Sequence, residues 1–223
     1  MCGLPTEKPQ SRIVGGRDAE YAEFPWQLVW TGSYPTTAQQ CGGVLLSSYF
    51  VMTAAHCVYL VPLHEIKVVL GGYDLHNPRD YGDTQIRGVS RVTLHDKFQP
   101  QLHRPHGHHR PAGARLTPPY TTATAPYLQK ATVPIVSNEK CETWHHTRGI
   151  RVNVHPDMLC AGYEGGETDA CVGDSGGPLI VKHRGRWTVA GLISAGFGCA
   201  QTRQPGIYHR ITTTSRWIYT HIY

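Results

Sequence analysis

The sequence predicts an all-β protein, an antiparallel barrel or sandwich. Apolar residues come in short runs of strand length at 27–30, 43–46, 67–70, 85–92, 186–194 and 206–211, broken by Gly, Pro, Asn and Asp. Hydrophobic content of 40% and charged content of 17% fit a globular chain, and 223 residues can bury one large core or two small ones. Helical patterning is confined to three places. Ala54 and Ala55 begin a single turn that presents His56, residues 138–147 read as a helix, and residues 212–222 form a C-terminal helix with Ile218 and Ile222 on one face.

The net charge of +5 is spread out, with no Lys/Arg run, which argues against a nucleic-acid partner. No apolar run is long enough to span a membrane. Met1-Cys-Gly-Leu-Pro is not a charged-then-apolar leader, so the natural chain is expected to start upstream or to have been trimmed. Seven cysteines suggest an oxidising compartment, and without a Cys-x-x-Cys they do not read as a zinc site.

Chemistry concentrates in Asp169-Ala-Cys-Val-Gly-Asp-Ser-Gly-Gly-Pro178. Glycines on both sides of Ser175 allow a tight turn and a close approach of ligand to the main chain. That suits a nucleophilic hydroxyl, with the N–H groups of Gly173 and Ser175 as donors to a developing oxyanion. A hydroxyl needs a base, and histidine serves near neutral pH. Among 14 histidines, His56 stands out because it lies in Thr53-Ala-Ala-His-Cys57. Together the two motifs resemble the chymotrypsin/trypsin-like serine protease family, over residues 12–98 and 127–222.

The resemblance implies two antiparallel six-stranded β-barrels and a short C-terminal helix. It implies a protease unit over residues 13–222: a first barrel to 98, an atypical segment 99–126, and a second barrel with the helix over 127–222. Residues 1–12 would be the remnant of an activation peptide. It implies disulfides Cys41–Cys57, Cys141–Cys160 and Cys171–Cys199, leaving Cys2 over. Arg12-Ile-Val-Gly-Gly16 resembles a zymogen activation site; cleavage would free the Ile13 ammonium to pair with Asp174. Asp169 would floor a pocket for Lys or Arg side chains, with Gly196 and Gly206 as its open walls. Ala195 stands where the family usually has Trp, which implies weaker selection beyond the basic residue. The expected partners are protein or peptide substrates with Arg or Lys at the cleavage site, an activating protease and protease inhibitors. The expected location is extracellular. No cofactor and no metal are expected, and Gly72 replaces the glutamate that calcium-binding members carry.

Residues 99–126 depart from the family pattern. They are rich in Pro, His, Arg and Thr, contain no acidic residue, and read as loop or disorder. The family strand carrying the triad aspartate and a Gly-Trp-Gly strand are absent there. Neither Asp96 nor Asp74, Asp80 and Asp83 in the earlier loop takes the aspartate's role by match. The alternatives are a catalytically impaired homologue that binds partners, an aberrant splice or frameshift product, and a non-peptide esterase. His103, His106, His108 and His109 could instead form a metal site, though they lack acidic or cysteine partners.

Overall fold

A computed structural model describes residues 13–34, 37–74, 84–99, 127–171 and 173–222. Two five-stranded antiparallel sheets dominate, each curled into a barrel. The first runs in the order β5 (Val51–Met52), β4 (Thr37–Leu45), β3 (Gln27–Tyr34), β6 (Lys67–Leu70), β7 (Gln85–Gly88). The second runs β12 (Pro178–His183), β13 (Arg186–Ala195), β14 (Gly206–Arg210), β10 (Met158–Ala161), β9 (Ile135–Val136). Two small ladders complete the topology: β1 (Ile13–Val14) with β11 (Asp169–Ala170), and β2 (Arg17–Asp18) with β8 (Gln129–Lys130).

Each barrel thus has five strands among the described residues, where six were expected. In the first, β7 pairs with β6 on one edge, and no described strand lies on its other edge. All four β7 residues are exposed. The strand expected over 85–92 stops at Gly88, and Val89 and Val92 instead pack against the core of the first barrel. Residues 100–126, where the family strand was expected to be absent, lie outside the described residues.

Alternation of side chains across each sheet builds the two cores. Cys41, Ala54, Cys57 and Ile66 centre the first. Val136, Cys141, Trp144, Val154, Cys160 and Ile207 centre one part of the second, and Leu159, Ala161 and Tyr208 another. The single turn α1 (Ala55–Val58) carries Cys57 into the first core. Helix α2 (Asn138–Thr147) begins where predicted because the Ser137 side chain accepts a hydrogen bond from Lys140 N at 3.2 Å, capping an orphan donor. Helix α3 (Ile211–Ile222) closes the described chain, and its Trp217 ring packs against His95 with centroids 4.9 Å apart.

The three disulfides are Cys41–Cys57, Cys141–Cys160 and Cys171–Cys199, as the resemblance implied. Cys141–Cys160 ties α2 to β10 across a separation of 19 residues. Replacing both with serine is expected to lower stability by about 3 kcal/mol, read as a reduced urea midpoint with intact secondary structure.

Candidate active site at the junction of the barrels

Ser175 precedes β12 of the second barrel and His56 lies on α1 of the first, and the two backbones touch beside Ser175. Gly42 N on β4 donates to Ser175 O at 2.8 Å, and Cys57 Sγ lies 3.6 Å from the same oxygen. Gly176, next to Ser175, is buried at φ +80°; a Cβ there would lie 2.2 Å from Thr53 Oγ1 and 2.9 Å from Ala54 N. Only glycine fits that conformation and that gap. The Ser175 peptide is therefore seated on the strand and turn that lead into His56. Thr53 Oγ1 fixes the same spot by donating to Gly42 O at 2.8 Å.

His56 is half-buried on α1. One of its ring nitrogens lies within 4.8 Å of the sulfurs of Cys41 and Cys57. Those sulfurs are bonded to each other, so this cluster has no thiolate to offer a metal. The histidines of 99–126 lie outside the described residues.

The Ser175 loop is held from within. Gly173 has φ +96°, Gly177 N donates to Asp174 O at 2.8 Å, and Cys171 N donates to Asp174 Oδ2 at 2.8 Å. Ile13, Gly173 and Asp174 line one cavity of about 80 Å³. Ile13 pairs with Ala170 and Val14 with Asp169. This two-residue ladder joins the start of the described chain to the backbone of Asp169. Arg12 lies outside the described residues.

Asp169 is 3% exposed. Its Oδ2 accepts from Ala200 N at 3.2 Å, and its Oδ1 is buried without a hydrogen-bond partner among the described residues. Burial pushes the carboxyl up to about 6, partly offset by the Ala200 and Ala170 N–H groups. Gly206 leaves the approach to it clear, since a Cβ there would lie 2.9 Å from Oδ1. At Gly196 a Cβ would meet only Gly198 O, at 3.4 Å. Tyr208, which the sequence did not single out, packs behind Gly206, and burial followed by the Asp169 and Asp174 charges raises its phenol. Its alternation on β14 could have placed it inside, but not beside Asp169.

The Trypsin family model matches residues 13–104 and 116–218. The chain belongs to the trypsin-like serine protease family. It is 34% identical to Serine proteinase stubble of Drosophila melanogaster, over 99% of this chain and 32% of that protein. It is 32% identical to Serine protease filzig of the same organism, over 97% of this chain and 15% of that protein. It is 31% identical to Coagulation factor XI of Bos taurus, over 98% of this chain and 39% of that protein. The chain thus spans well under half the length of these trypsin-like relatives. The family match reaches further into 99–126 than the motifs alone did, and it breaks only at 105–115. The alignment with stubble covers 257 positions, more than the 223 residues available, so that relative has residues with no counterpart here.

The raised Asp169 carboxyl carries a stability cost with a definite sign. The folded chain holds this proton between about pH 4 and 6, where the unfolded chain has released it, so stability falls as pH rises through that window. Above it the cost is about 3 kcal/mol. Asp169→Asn is expected to melt higher than the native chain at pH 7, and the difference should vanish near pH 4, as measured by calorimetry.

Proposed function

We propose that this chain is the protease unit of a serine endopeptidase that cuts after Lys or Arg, with residues 13–222 as the catalytic unit and 1–12 as its activation-peptide remnant. The observation that carries the reading is the seating of the Ser175 peptide on the turn that bears His56. Ser175 Oγ attacks the scissile carbonyl and His56 takes its proton. His56 then protonates the leaving amine, and water hydrolyses the acyl-enzyme by the same two groups. The N–H groups of Gly173 and Ser175 hold the oxyanion.

Substrate choice follows from the orphaned Asp169 oxygen. A buried carboxylate without a partner is costly, and a Lys or Arg side chain entering between Gly196 and Gly206 supplies both charge and donors. Cleavage at Arg12–Ile13 is the activating step. Its support is that Ile13 shares a cavity with Asp174 and that β1 is laced to β11. Three disulfides suit an extracellular setting. The partners are polypeptides with exposed basic residues, an activating protease and protease inhibitors. Ala195 is exposed and offers no aromatic surface to neighbouring substrate residues, so selection beyond the basic residue is weak.

Residues 99–126 contain no acidic residue, and a chain that lacks the family's orienting aspartate would turn over about 10⁴ below a complete triad. A fluorophosphonate probe tests the core of the reading. After cleavage at Arg12 the native chain is expected to be labelled and Ser175→Ala not; a native chain left unlabelled would be a binding homologue instead. Benzamidine tests the pocket. Its affinity should fall about tenfold per pH unit once Asp169 is protonated, and Asp169→Ser should abolish binding.

A further inference from the structure

His145 lies in the last turn of α2 and is 0% exposed. Its Nδ1 is 2.9 Å from Cys141 O. A carbonyl only accepts, so Nδ1 carries the ring proton and Nε2 is left with a bare lone pair. That Nε2 is buried with no hydrogen-bond partner among the described residues. The ring stands edge-on to Phe197, with centroids 5.3 Å apart and planes at 68°. Phe197 packs against the second-barrel core and sits between Gly196 and Gly198, two residues before Cys199. The next residue, Ala200, gives Asp169 its backbone hydrogen bond. A continuous line of contacts and covalent bonds therefore runs from His145 to the pocket floor.

We propose that His145 is a proton-sensitive positioning residue for the Asp169 pocket. Neutral, its ring backs Phe197 and holds the 195–200 loop; protonated, it must leave the core, and the loop loosens. The proposal rests on the pocket reading given above. Protonation would put a charged N–H at Nε2, which has no acceptor among the described residues. On its own helix, the Glu142 carboxylate is occupied by Val154 N at 2.7 Å and His146 is exposed, as is Arg148 just beyond the helix. Cys141 Sγ, 3.7 Å from Nδ1, is tied up in the disulfide to Cys160 on β10, and from the 195–200 loop the ring faces Phe197. Burial accordingly pushes the imidazole below its ordinary value, offset only by the Cys141 carbonyl. The folded chain then binds fewer protons here than the unfolded chain. This contribution is complete above about pH 6.5 and is lost as pH falls from there toward the lowered folded value. Asp169 works in the opposite sense, whereas His209, also lowered by burial, works in the same one. Only a comparison at residue 145 isolates the effect.

Hydrogen exchange read by mass spectrometry on the full chain provides it. Between about pH 7.5 and about pH 5.5, corrected for intrinsic rates, protection of residues 195–200 is expected to drop several-fold more in the native chain than in His145→Phe, within the tenfold per pH unit that one proton allows. An equal drop in both would overturn the proposal. Should His145→Phe not fold, the His145 ring resonances of the native chain decide. Titration below about pH 6.5, in step with loop exchange, supports the proposal, and titration at or above that value overturns it. Benzamidine binding measured in parallel keeps the two readings apart. A chain that never binds it loses the basic pocket, while the exchange result still stands or falls by itself.

Discussion

Contact between two backbones with no side chain between them is the constraint on which the rest of this molecule depends. Gly42 N reaches Ser175 O directly, and the peptide of Gly176 lies against Thr53 and Ala54. A Cβ at Gly176 would lie 2.6 Å from Gly42 O and 2.9 Å from Ala54 N, closer than the packed backbone allows. Ser175 and His56, the proposed nucleophile and base, lie in chain segments more than a hundred residues apart. Their relation is therefore set by barrel packing and hydrogen bonds rather than by local chain geometry. The Cys41–Cys57 bond stiffens the same spot by binding the His56 turn to β4.

Near this seam the protein carries an unfavourable burial. Asp169 gives up hydration and gains only backbone donors. Under the proposed function, a cationic side chain would turn that deficit into selectivity, because an apolar one would leave the carboxylate as it was. The Ile13–Val14 ladder runs along the same residue, so the start of the described chain and Asp169 share one two-stranded ladder. His145 is buried on comparable terms on the far side of Phe197. Burial disfavours the charged form of both groups, and residues 197–200 run between them.

Much of this was legible in residue order. Short apolar runs announced the strands, and 67–70 and 138–147 match their elements at both ends. Residue 85 began a strand as read, but Gly88 ended it, because Val89 and Val92 turn inward to cover the first core. The Ser175 and His56 motifs carried the family, and the interruption of the family match at 105–115 falls inside the stretch whose composition had set it apart. Tyr208 and His145 were not legible. Each looks like an ordinary element residue until the neighbouring strand or loop is laid over it.

The sequence by itself determined the strand-rich class, the cysteine pairs that the resemblance implied, and the residue types available for chemistry, since these depend on local pattern and on motifs read along the chain. Tertiary structure alone decided that Asp169 would keep an orphaned oxygen, that His145 would be sealed behind Phe197, and that Ile13 would share a cavity with Asp174. The reason is physical: burial and the loss of hydrogen-bond partners are properties of surfaces brought together from distant segments, and no local stretch of chain contains both surfaces.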